Sequence, residues 1–96
     1  MKFVHISFAF EYTEQIEEML DRHAIRDYVR YPREHGRDPR GKHFGTQVFP
    51  GNFTVVQAMV DDEAVAALMA ELRAFRDDRE AHAGTAAAVL PIEEVL

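Results

Sequence analysis

The chain has 96 residues, no Cys, 47% hydrophobic and 29% charged residues, and a formal net charge of −6. That length bounds it to one domain with a modest core, and the missing Cys excludes disulfides and thiolate chemistry. No stretch approaches the roughly 18 apolar residues of a membrane span, and the acidic balance argues against general nucleic-acid binding.

Met1 to Ile6 carries too short an apolar run for a signal peptide, so a cytoplasmic location without membrane insertion is the expectation. Phe3 to Phe10 alternates as a strand, with Val4, Ile6, Phe8 and Phe10 on one face and Phe3, His5, Ser7 and Ala9 on the other. The second face is also largely small or apolar, which predicts cover on both sides. Thr13 reads as an N-cap with Glu14 and Glu17 in the first turn. Ile16, Met19, Leu20 and His23 then keep helical spacing, so a helix is predicted over 13–23.

Ile25 to Tyr31 reads as a second strand, which Pro32 ends or places at a sheet edge. From Arg33 to Gly51 the chain carries Gly at 36, 41, 45 and 51 and Pro at 39 and 50. Those breakers exclude a sustained helix, and structureless loops beyond about 12–15 residues are uncommon unless functional or disordered. Arg33, Arg37, Arg40 and Lys42 against Glu34 and Asp38 give this loop a balance of +2 on an acidic body. A basic loop there predicts an anionic ligand or a protein partner, against the plainer alternative of a solvated hairpin loop.

Phe53 to Val60 is nearly continuous in apolar residues and reads as a central strand, with Gln57 needing a hydrogen-bond partner in the sheet or at a subunit contact. Asp61-Asp62-Glu63 is a helix start; consecutive carboxylates there point apart and make a poor metal site. Val65, Leu68, Met69, Leu72 and Phe75 carry the stripe of a helix from Asp62 to about Phe75 or Arg76. A polar connection follows, then a last strand over Ala86 to Leu90, closed by Pro91.

The order strand, helix, strand, strand, helix, strand is the split βαβ pattern. It predicts an α+β, ferredoxin-like βαββαβ fold, an antiparallel four-stranded sheet with both helices on one face. The other face stays apolar through Phe3, Ala9, Val55 or Val56 and the alanine strand, so burial against further copies is expected.

Met59-Val60-Asp61-Asp62, the striped helix after it, and Ala88-Val89-Leu90-Pro91-Ile92-Glu93-Glu94-Val95 resemble the PII signal-transduction proteins and their CutA-like superfamily. By element order the resemblance spans nearly the whole chain; residue by residue it is specific in the last strand and tail. It implies a homotrimer with sheets facing inward. It also implies that 33–51 is the T-loop, which contacts a target protein, and that adenine nucleotides bind in clefts between subunits. Two segments depart from the family. Arg79 to Thr85 stands where PII proteins have a G-x-x-G-D-G-K-type phosphate segment, retaining only Gly84, with Arg79 as the replacement cation beside Glu80. Phe49-Pro50-Gly51 stands near the place of the Tyr-Arg-Gly signature.

The leading expectation is therefore a non-enzymatic PII-like regulator of a small anionic effector, an adenine nucleotide among them. Its ligand residues are Gly36, Arg37, Arg40, Gly41, Lys42, Gly45, Arg79 and Gly84: glycine amides approach an anion closely and the cations balance it. The first alternative is CutA-like binding of a divalent metal. None of the five His forms an H-x-x-x-H pair, so His43 and His82 are the candidates, meeting only across the fold or a subunit boundary. The second alternative is a small ferredoxin-like enzyme using His5 with Tyr28 or Tyr31.

Overall fold

A computed structural model describes residues 1–43, 45 and 51–96. The elements are β1 (Lys2–Ala9), α1 (Thr13–Arg22), β2 (Tyr28–Glu34), β3 (Gly36–Asp38), β4 (Gly41–His43), β5 (Phe53–Val60), α2 (Asp62–Asp78) and β6 (Ala86–Pro91). Single 3-10 turns at Phe10–Tyr12 and Glu80–His82 precede α1 and β6. The main sheet has the order β2-β5-β1-β6, with every neighbouring pair antiparallel. The fold is the ferredoxin-like α+β arrangement that the element order predicts.

Strand alternation sorts the sheet into two faces. Val4, Ile6 and Phe8 of β1 and Val56, Ala58 and Val60 of β5 form one buried cluster with Ile16, Met19 and Leu20 of α1 and Leu68 and Leu72 of α2. Both helices therefore cover the same face. The register sets Phe3 beside Met59 and Leu90, His5 beside Gln57 and Ala88, and Ser7 beside Val55 and Ala86 on the other face. Val29 and Tyr31 of β2 extend that face and are exposed. Val55, not Val56, belongs to it, which resolves the alternative left open by the sequence.

Thr13 is not an N-cap. The turn at Phe10–Tyr12 carries the chain into the helix, the Thr13 N–H bonds the Phe10 carbonyl, and Tyr12 takes the cap position. The Thr13 hydroxyl donates to the same carbonyl at 2.6 Å and accepts from the buried Thr54 hydroxyl at 2.7 Å. The helix joins β5 at this point through two satisfied polar groups. Asp61 does hold the α2 cap position, but without a side-chain bond; Asp62 meets the Met1 α-amino group at 2.8 Å.

The second strand begins later than its alternation predicts. Ala24 takes a left-handed φ of 57°, and the Ile25 N–H returns to the Leu20 carbonyl at 2.9 Å. This is a helix termination usually built with Gly. It folds Ile25 back into the core at 4% exposure, so its apolar character serves the end of α1 rather than a strand. β2 then runs through Pro32 as an edge strand, and its register shifts between Tyr31 and Glu34, where Arg33 has φ 56°. Phe10 leaves β1 for the turn, and α2 extends to Asp78, beyond the predicted end.

Candidate functional site

The sequence predicts no regular structure within 33–51, yet β3 and β4 form a short hairpin there, pairing Gly36 with His43, Arg37 with Lys42 and Asp38 with Gly41. Alternation gives the hairpin two faces. Gly36, Asp38, Gly41 and His43 are half-buried, while Arg37 and Lys42 are exposed. The inner face leans on Phe53: a Cβ on Gly36 would lie 3.0 Å from its ring carbons, and the His43 ring tilts against it with centroids 4.8 Å apart. Arg33 stacks its guanidinium over Phe10, 4.5 Å from the ring centre.

A cleft of about 190 Å³ opens between this hairpin and the connection before β6. Asp38, Arg40 and His43 line one wall, Ala81, His82, Gly84 and Thr85 the other, and Glu11 and Asn52 stand between them. The two walls nearly touch. A Cβ on Gly84 would be 3.5 Å from both Arg40 Nη1 and Asp38 Oδ2, the distance of ordinary contact.

Asp38 organises its wall. Its Oδ1 accepts the Arg40 backbone N–H at 2.8 Å and His43 Nε2–H at 3.1 Å. Burial is the largest influence on its carboxyl and pushes it up. The hydrogen bonds from His43 and the Arg40 N–H, with the Coulombic pull of the same residues, outweigh burial and hold it below the usual carboxylate range. Across the cleft His82 is 5% exposed. Its ring stacks on Phe75, meets Tyr12 edge-on at 4.5 Å, and donates through Nδ1 to the Phe75 carbonyl at 2.7 Å. Nδ1 is thereby committed, which leaves Nε2 as the nitrogen available to a ligand.

The predicted ligand residues divide. Arg40 and Gly84 line the cleft together, as do the two metal candidates His43 and His82. Gly36 packs against Phe53 on the inner face, Gly41 has φ 135° with open space where a side chain would stand, and Gly45 donates its N–H to the Gly51 carbonyl at 2.8 Å. Arg37 and Lys42 are on the outer face, away from the cleft. Arg79 is exposed beside Asp78, at 3.2 Å, and is not part of the lining. The Phe49-Pro50 pair falls outside the described residues. Sequence reading missed Asp38 and Glu11, whose placement depends on the hairpin and on the turn after β1.

The alternatives fare differently. Among the described residues no three of His, Asp and Glu gather as a metal ligand set. His5 shares the open face with Gln57, whose Nε2 lies 3.5 Å from His5 Nδ1, whereas Tyr28 pairs with Ala58 on the core face. Burial first, then the Glu17 and Asp21 carboxylates, raise the Tyr28 phenol, against the opposing charge of Arg30. Tyr31 is on the His5 face but opposite Val55, with β5 between it and β1. The fold thus does not build the imagined His–Tyr pair. None of the described helices is long and apolar enough to cross a membrane.

No protein-family model and no curated protein sequence matches the chain. Solved structures do. CPII, a nitrogen regulatory PII-like protein from Thiomonas intermedia K12, bound to ADP, AMP and bicarbonate, superposes with a TM-score of 0.76 at 22% identity, over 92% of this chain and 81% of that one. Its apo form gives 0.70 at 20% identity, over 92% and 84%. A protein of Thermus thermophilus assigned to PII-like signaling gives 0.66 at 16% identity, over 92% and 80%. The architecture implied by the element order and the Leu90-Pro91-Ile92-Glu93-Glu94 tail is therefore present, and the chain has the fold of the nitrogen regulatory PII-like proteins.

Proposed function

We propose that the chain is a non-enzymatic PII-like regulator that binds a small anionic effector in the cleft between the β3–β4 hairpin and the segment before β6. The observation that carries this reading is the convergence of Arg40, Gly84 and His82 on one small cleft. Arg40 supplies the countercharge, Gly84 lets a ligand approach the backbone, and His82 offers Nε2. The similar fold of CPII, bound to ADP, AMP and bicarbonate, puts adenine nucleotides first among the effectors to test.

At about 190 Å³ the cleft is small beside the ~300–1,000 Å³ of ligand pockets. It takes a phosphate or carboxylate group, and a whole nucleotide needs a further wall. A neighbouring copy supplies that wall if the open sheet face is the subunit contact of a trimer. That face is apolar around Phe3, Val55 and Leu90, which favours burial against copies of itself. The 33–51 segment then serves as the loop that reports the bound state to a target protein.

Thermal melting against ATP, ADP, AMP, cyclic nucleotides and bicarbonate tests the reading, because a ligand of the folded state raises its apparent stability. An anion-specific rise that Arg40→Ala abolishes supports it; no rise with any anion overturns it. Zinc, copper and nickel belong in the same panel, since His43 and His82 line one cleft. A metal-specific rise would favour the divalent-metal alternative.

A further inference from the structure

We infer that the effector is a carboxylate that also carries a protonated amine, a free α-amino acid. The inference rests on the reading of the cleft as an effector site and names the ligand from the groups that an anion alone leaves unused. The lining sets two carboxylates, Glu11 and Asp38, against one permanent cation, Arg40. A phosphate or a simple carboxylate satisfies Arg40 and is left facing like charge on the other two. His82 adds to this selection. Its Nδ1–H donates to the Phe75 carbonyl, so in the neutral ring Nε2 carries a lone pair and accepts.

Asp38 spends Oδ1 on the Arg40 N–H and on His43, while its Oδ2 stands 3.5 Å from the Cβ position over Gly84. Against the Arg40 guanidinium the cleft thus sets the Glu11 carboxylate, Asp38 Oδ2 and His82 Nε2 as acceptors. Asn52 and Thr85 can donate or accept and suit either kind of ligand. An ammonium group, with three donors, no acceptor and a positive charge, is the complement of that acceptor set. A metal cation is not, since among the described residues no three His, Asp or Glu gather to ligate one. The spacing matches as well. Arg40 Nη1 and Asp38 Oδ2 lie at the same 3.5 Å from the point above Gly84, so opposite charges flank one small space that the missing side chain leaves open. An α-amino acid carries its carboxylate and its ammonium on one carbon. With that carbon over Gly84, the carboxylate meets Arg40 and the ammonium meets Asp38, with Glu11 and His82 as further acceptors. At about 190 Å³ the cleft suits a ligand of this size without a second wall.

The test is calorimetric titration of the full chain with each of the common L-amino acids, followed by the N-acetyl derivative of the one that binds best. The expected result is saturable binding of at least one amino acid. N-acetylation, Arg40→Ala and Glu11→Gln should each weaken it at least about tenfold, and Glu18→Gln on α1 should leave it unchanged. Thermal melting verifies that the variants are folded; Glu11 is exposed, so its variant keeps the test open if Arg40→Ala does not fold. Binding of no amino acid overturns the inference, as does equal binding of the N-acetyl derivative or equal binding by Glu11→Gln. The effector reading is judged separately, by the response to the anion panel. An anion response without amino-acid binding removes only the amine from the ligand. Amino-acid binding that needs Arg40 and Glu11, without an anion response, supports the inference and removes the simple anion as effector.

Discussion

His82 is bound twice to Phe75: their rings stack with centroids 3.8 Å apart and planes 6° from parallel, and His82 Nδ1 lies 2.7 Å from the Phe75 carbonyl oxygen. One residue near the end of α2 thus fixes both the plane and the tautomer of a cleft side chain. His82→Phe keeps the stack and leaves the carbonyl without its donor. We expect a loss of about 1–3 kcal/mol in urea unfolding, with anion affinity reduced beyond what the same loss at a remote site produces. An affinity equal to wild type would take Nε2 out of the binding contact.

Ala24 closes α1 in a left-handed conformation that costs an L-residue about 1 kcal/mol or somewhat more. Gly adopts it freely. Ala24→Gly should therefore stabilise the protein by roughly 0.5–1 kcal/mol in a denaturant titration, although Gly normally weakens helices. A destabilised variant would mean that the Ala24 methyl is needed elsewhere.

Glu71 ties the end of α1 to α2 through Arg22 and through His23 Nε2 at 2.7 Å. Burial is the largest influence and pushes its carboxyl up; the hydrogen bonds from Arg22 and His23, with their Coulombic pull, reverse that and leave it lowered. A lowered carboxylate stabilises the fold fully above its ordinary value of 4.5 and loses that contribution as pH falls through the folded value. Glu71→Gln should lower the neutral-pH urea midpoint and flatten its decline on acidification. Parallel pH profiles for variant and wild type would contradict this.

A Cβ on Gly36 would crowd the Phe53 ring at 3.0 Å, whereas one on Gly84 would stand at ordinary contact distance from Arg40. Gly36→Ala should unseat the hairpin, raise amide exchange across residues 36–43 and weaken anion binding. Gly84→Ala should leave the exchange nearly as it is and weaken anion binding alone, because its methyl would stand where the ligand approaches the backbone. Similar exchange in the two variants would show that Phe53 yields readily.

Val55 faces the open side of the sheet, opposite Ser7 and Tyr31. If that face joins three copies, Val55→Asp should convert the sedimenting species from trimer to monomer and abolish the nucleotide response with it. A variant that remains trimeric would move the subunit contact elsewhere.

What the sequence made legible follows from where each signal originates. β5 was readable residue for residue because its apolar run is uninterrupted between Asn52 and Asp61 but for Thr54 and Gln57. β2 was displaced because Ile25 is apolar for a reason of its own, the return of the chain onto Leu20. The hairpin was hidden because its inner face is built partly of Gly36 and Gly41, residues that read as breakers. His82 drew notice only as a possible metal ligand, since its partner is a backbone carbonyl and leaves no side-chain pattern. Arg79 looked like the natural cation for the cleft, but the turn at Glu80–His82 leaves it beside Asp78, and Arg40 stands at the wall instead.

The central position of β1 has a bearing on how the molecule is made. Lys2 pairs with Val60 on one side and with Pro91 on the other. During synthesis β1 emerges before both of its neighbours, and β6 is the later of the two. Pairings of such long sequence separation close slowly. Until β6 is in place, β1 is an open edge rich in Phe, Val and Ile, the kind of edge that recruits other chains. Loss of the final strand should therefore reveal itself first as aggregation during expression rather than as a lowered melting temperature.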